Sequence, residues 1–143
     1  MDDLPNCCQI TLPGRLESLP ALSDFVADAS RTLAIDAESA YKVQLAVEEA
    51  CANVIQHGAS ANQPGPPSIA VDVCRDGRNC TVTLRDRGSP FDPTSLPLPD
   101  LRPQLRKRRP GGLGIYLIRR LMDEVSYDVG DGVNTLTMVK RLR

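Results

Sequence analysis

The chain has 143 residues, 41% hydrophobic and 24% charged, which suits one folded domain, residues 1–143, around a single core. A formal net charge of −1 supplies no basic excess for nucleic acid. No apolar run nears the roughly 20 residues of a membrane-spanning helix, and the opening MDDLPNCC is acidic, unlike a secretory signal. Five cysteines without a CxxC pair, and a single histidine, His57, argue against a zinc site and lead to an expectation of reduced thiols in the cytoplasm.

In chain order, Cys8 to Leu12 reads as a first strand closed by Pro13-Gly14. Ser18 is expected to cap a helix with Pro20 in its first turn. Leu22, Phe25, Val26, Ala29 and Leu33 then carry helical spacing from about Leu19 to Leu33. A second helix starts at Asp36 or Ser39 and ends at Gly58. Its stretch YKVQLAVEEACANVIQHG places Val43, Val47, Ala50, Cys51 and Val54 on a core stripe. Glu49 and Asn53 are four residues apart on one face, with Ala46 and His57 extending that face. A carboxamide oxygen is a hard ligand for Mg²⁺, and a carboxylate one turn away can orient or deprotonate a nucleophile. A solvated Glu beside a capping Asn is the bland alternative.

Ser60 to Ser68 is loop by composition. Ile69, Val71 and Val73 alternate, Asp76-Gly77 turns the chain, and Cys80, Val82 and Leu84 alternate again, which is a hairpin buried on one face. It runs into Asp86-Arg87-Gly88-Ser89-Pro90, where the Asp86 carboxylate can accept a hydrogen bond from an exocyclic amine such as that of adenine. Thr94 to Pro110 is rich in Pro and Leu, then basic through Arg102, Arg106, Lys107, Arg108 and Arg109. It reads as a surface loop or as a lid that folds over phosphates. Gly111-Gly112-Leu113-Gly114 opens a helix whose uncovered N–H groups and dipole favour an anion. Val125 to Val129, the Gly130-Asp131-Gly132 turn and Asn134 to Val139 complete the chain as two strands.

Three separated pieces, EEACANVIQHG, DRGSPFDP and GGLGIYLIRRLMDEV, followed by NTLTMVKR, together resemble the GHKL (Bergerat-fold) ATP-binding superfamily. Within it they look most like the anti-sigma-factor serine kinases, the RsbW-like group. The resemblance covers nearly the whole chain. It implies an α+β fold: a two-layer sandwich with a mixed, mainly antiparallel sheet covered on one face by helices, and Mg-ATP held between helices and lid. Carried across, Asn53 resembles the Mg²⁺ ligand and Glu49 the catalytic base. Asp86 resembles the reader of the adenine amine, with Gly88 making room for the nucleotide. Gly112, Leu113 and Gly114 match the phosphate loop, Arg109 a basic lid residue, and Thr135 the threonine near adenine on the last strand. The phosphate loop is shorter than in many superfamily members, and Pro90 stands where others have a third glycine, a pattern RsbW-like proteins share. The chain has no room for the phospho-acceptor domain of histidine kinases, and the gyrase and MutL branches are much larger.

The resemblance further implies a protein-serine kinase that phosphorylates a small STAS-type antagonist and restrains a sigma factor or other target, with a homodimer expected. The competing expectation is a non-catalytic module in which ATP shapes a docking surface. A metabolic small-molecule kinase finds no acceptor motif.

Overall fold

The computed structural model describes residues 6–57, 65–90 and 112–143. Five strands and three α-helices are seen there: β1 (Asn6–Pro13), α1 (Leu19–Thr32), α2 (Ala37–His57), β2 (Ser68–Asp76), β3 (Asn79–Asp86), α3 (Gly112–Leu121), β4 (Glu124–Gly130) and β5 (Val133–Arg141). The strands form one sheet in the order β1-β2-β3-β5-β4, and every pairing among the described residues is antiparallel. The fold is α+β, with the helices and one sheet face sharing a single core.

Strand alternation decides which side chains enter that core. Ile69, Val71 and Val73 of β2, Cys80, Val82 and Leu84 of β3, and Leu136 and Met138 of β5 are all buried. They meet Leu22, Val26 and Ala29 of α1, Val43, Val47, Ala50 and Cys51 of α2, and Ile115 and Ile118 of α3. Tight turns hold the register. Gly77 takes φ 59° as the first of two residues between β2 and β3, and Asp131 and Gly132 both take positive φ between β4 and β5. Such turns twist with the strands they join.

Three local features differ from expectation. Ser18 does not cap α1: the chain already turns as a 3₁₀ segment over Leu16–Ser18, so Ser18 has helical angles, and its hydroxyl donates to the Pro13 carbonyl at 2.6 Å. At the other end of α1, Ala34 stands in the left-handed region where glycine is usual, and the Arg75 guanidinium on β2 donates to the Leu33 and Ala34 carbonyls at 3.0 and 2.6 Å. The thiols are not all reduced. Cys7 and Cys74 face each other across β1 and β2 and form a disulfide, while Cys8, Cys51 and Cys80 are free.

Helix α2 is started by Asp36, not Ser39. The Asp36 Oδ2 accepts the Ser39 N–H at 3.0 Å, and the Asp36 carbonyl accepts the Ala40 N–H at 2.8 Å. Hydrogen bonds from Ser39 are the main cause holding the Asp36 carboxyl below its ordinary 3.8. A depressed carboxylate stabilises the fold above its unfolded value, and that contribution disappears as pH falls through the lower folded value. Asp36→Ala is therefore expected to lower the melting temperature at pH 7. In thermal melts the gap from the parent should close as pH falls below 3.8; a gap unchanged at pH 3 would contradict the cap.

Candidate nucleotide site

The polar face of α2 survives folding as a distinct feature. Ala46, Val47, Ala50 and Cys51 bury the helix in the core, and they carry Asn53 inward with them, so that it is only 7% exposed. Its amide nitrogen Nδ2 has no hydrogen-bond partner. An orphaned buried polar group costs about 1–3 kcal/mol, a cost that a bound ligand would offset. Nitrogen and oxygen of an amide exchange places by a half-turn, so the same position can present the oxygen to a cation.

One turn earlier, Glu49 is half-buried and has no ion-pair or hydrogen-bond partner among the described residues. Its neighbour Glu48 is the opposite case: Oε2 accepts from Ser23 Oγ at 2.5 Å and from Gln44 Nε2 at 3.2 Å, which ties α1 to α2. Of two adjacent glutamates, one is committed to the fold and the other remains available.

The second part of the site lies where β3 ends. Asp86 continues the inward parity of Val82 and Leu84, so its carboxylate is 7% exposed at the helix-covered face. It lies close enough to α2 to act on Cys51. Burial first, then the negative charges of Asp86 and Glu48, push that thiol up to about 12. Oδ1 of Asp86 accepts the Gly88 N–H at 2.8 Å, which closes the turn after the strand around a buried Gly88.

Asn134, a residue the sequence reading passed over, completes this corner. It is 3% exposed and directly opposite Asp86 in the β3–β5 register. Its Nδ2 donates to Asp86 Oδ1 at 3.0 Å and to the Gly88 carbonyl at 2.9 Å. Thr135, expected near adenine, is half-exposed on the other face of the sheet opposite Arg85 and does not join Asp86. Parity is the reason: Leu136 and Met138 are buried, so the inward position before them is 134. The run Asn134, Leu136, Met138 was the available signal.

The third part is α3, which packs on α2 and begins at Gly112, so Gly112, Leu113 and Gly114 form its first turn. Its backbone N–H groups have the polarity that suits a phosphate. Arg109 and the rest of the basic stretch from Arg102 lie outside the described residues.

The residues fit Mg²⁺ bound with a nucleotide. Among the described residues no three His, Cys, Asp or Glu side chains gather into a self-sufficient cage. Mg²⁺ commonly takes few protein ligands together with substrate phosphates and water, and one buried carboxamide oxygen from Asn53 matches that demand.

Known proteins resemble this chain over most of its length. The family described as Histidine kinase-like ATPase domain matches residues 12–140. The serine/threonine-protein kinase BtrW of Bordetella bronchiseptica is 33% identical over 99 residues, 68% of this chain and 68% of that protein. The serine-protein kinase RsbW of Bacillus subtilis is 36% identical over 105 residues, 70% of this chain and 63% of that kinase. RsbW of Halalkalibacterium halodurans is 28% identical over 144 residues, covering 97% of this chain and 85% of that kinase. The crystal structure of the RsbU and RsbW domains of a Mycobacterium tuberculosis protein superposes with a TM-score of 0.68 at 18% identity, over 95% of this chain and 32% of that one.

Proposed function

Because the chain belongs to the histidine kinase-like ATPase family, in its RsbW-like serine kinase group, we propose that it binds Mg-ATP and phosphorylates a serine on a STAS-type antagonist protein. By sequestering a sigma factor or another regulatory target until the antagonist displaces it, the protein acts as a partner switch. The observation that carries this reading is the unpartnered buried amide of Asn53 one helical turn from the unengaged carboxylate of Glu49.

Phosphoryl transfer asks a protein for positioning and charge neutralisation more than covalent help. Asn53 would hold the Mg²⁺, which when bound would supply positive charge against that of the phosphates. The first turn of α3 offers N–H groups to the same phosphates, and the family resemblance assigns Arg109 as a basic contact to them. Asp86 accepts the adenine amine, and Gly88 leaves room beside it. Glu49 takes the proton from the serine hydroxyl of the protein substrate.

No helix among the described residues is long and apolar enough to cross a membrane. A homodimer and a cytoplasmic setting are part of the proposal and rest on the family.

The deciding experiment incubates the purified protein with Mg²⁺ and γ-labelled ATP, with and without STAS proteins encoded nearby. Label on a serine of one of them supports the kinase and identifies its substrate. ATP binding with no labelled protein favours a nucleotide-gated docking module instead. The adenine contact has its own check. Asp86→Asn is expected to weaken ATP by about tenfold or more, the worth of one charge-assisted hydrogen bond, and to shrink the preference over GTP. An unaltered ATP/GTP ratio in calorimetric titrations would argue against adenine readout.

A further inference from the structure

We propose that the Cys7–Cys74 bond is a redox-sensitive latch: it pins the first residues of β1 and opens to dithiol reductants while the protein stays folded. The inference rests on the cytoplasmic setting proposed above. In that compartment thiols are kept reduced, and the disulfides that do form there are usually transient and redox-sensing. Position makes this bond addressable. Cys7 is exposed and Cys74, opposite it, is half-buried, both on the sheet face turned away from the helices. The other three cysteines lie on the opposite side. Cys51 and Cys80 are buried in the core, where burial pushes their thiols up to about 12 and about 11. Cys8 alternates to that same side of β1 and packs half-buried against the core. None of the three faces the bond, so exchange is left to reagents arriving from solvent.

The two ends of the bond are held very differently. Beside Cys74, the Arg75 guanidinium donates to the Leu33 and Ala34 carbonyls just after α1, at 3.0 and 2.6 Å, and to the Gly77 carbonyl at 3.0 Å. Strand β2 also lies between β1 and β3. Among the described residues β1 is at the sheet edge, hydrogen-bonded to β2 alone, and Cys7 is near its start. Ile10 and Leu12 pack on the core and keep the far half of β1 in place, whereas toward Asn6 only Cys8 does so. Opening the bond thus frees one strand end and leaves the sheet assembled. The chemistry is two thiol–disulfide exchanges. A thiolate of the dithiol attacks the exposed Cys7 Sγ, the S–S bond breaks, and Cys74 leaves as a thiolate that takes a proton from solvent. The second thiolate of the reagent then attacks its own sulfur in the mixed disulfide and releases Cys7. The reagent ends oxidised to a disulfide and the protein holds two thiols. The disulfide form of the same reagent reverses both steps.

The test equilibrates the intact chain in buffers of graded reduced and oxidised dithiothreitol, then caps free thiols with a maleimide and counts them by mass. Thermal melts and hydrogen exchange are recorded on each form. Two additional capped thiols are expected while the protein is still folded, and re-oxidation should remove both. Reduction should lower the melting temperature by about 10 °C, given a bond between residues 67 apart in sequence. At exchange times too short for global unfolding, amide exchange over residues 6–9 should rise by about tenfold or more. Cys7→Ser and Cys74→Ser should each show the melting temperature of the reduced form in every buffer, while Cys8→Ser keeps the redox response. Thiols that appear only as the protein unfolds would make the bond a structural staple and overturn the proposal. Equal exchange over residues 6–9 in the two forms would overturn it as well. Neither outcome touches the kinase reading, which stands or falls on labelled serine in a STAS protein.

Discussion

Asn53→Ala is expected to weaken Mg-ATP binding by about 10- to 150-fold, the worth of one interaction with a charged group in a buried site. The same substitution should leave the melting temperature unchanged or raise it. Asn53 is 7% exposed with its amide nitrogen unpartnered, so the folded protein already carries an uncompensated polar group there. Alanine removes that uncompensated group. Opposite signs on stability and on binding are the mark of a side chain kept for a ligand. Titration with EDTA in place of Mg²⁺ separates the metal role from a direct nucleotide contact: without metal, parent and variant should bind ATP alike. Equal Mg-ATP affinity for the two proteins would end the ligand assignment.

Glu49→Gln should reduce phosphoryl transfer by about 10²- to 10⁴-fold, the usual share of a general base, while the dissociation constant for Mg-ATP stays nearly the same. Gln keeps the length and polarity of Glu and removes only the ability to take a proton. The fold should tolerate the change, since among the described residues no hydrogen bond or ion pair engages the Glu49 carboxylate. Glu48→Gln is the matched control. It alters the acceptor for Ser23 and Gln44, so it should shift the melting temperature and spare the rate. Single-turnover labelling of a STAS substrate reads both. Normal turnover by Glu49→Gln would remove it as base, and the docking-module reading would gain.

Much of this site is legible in the amino-acid order because it depends on short-range periodicity. The four-residue spacing of Glu49 and Asn53 puts them on one face of α2 whatever else the chain does. Alternation from Val82 through Leu84 already points Asp86 inward. The same rule applied backwards from Met138 and Leu136 leads to Asn134, whereas the family resemblance leads to Thr135, which the pleat turns to the other face. Other features depend on pairings between distant segments. The Cys7–Cys74 bond requires the β1–β2 register across 67 residues of chain, and five scattered cysteines do not indicate it. Arg75 caps α1 from a strand 41 residues away from Ala34, where nothing local hints at a cap. Ser18 misled for a different reason: a capping residue works only from non-helical backbone, and the preceding 3₁₀ turn removes that condition.

The bond between Cys7 and Cys74 also changes what kind of object the polypeptide is. Both helices that follow β1, together with Glu49 and Asn53, lie on the segment between the two sulfurs, so this part of the chain is a closed covalent loop and the rest, including Asp86 and Asn134, is a tail attached to it. One backbone cut inside the loop leaves the mass of the molecule intact, raised only by a water, until a reductant is added. A cut in the tail releases a fragment at once. Gel mobility after limited digestion, with and without dithiothreitol, therefore reports which half of the nucleotide site has been opened.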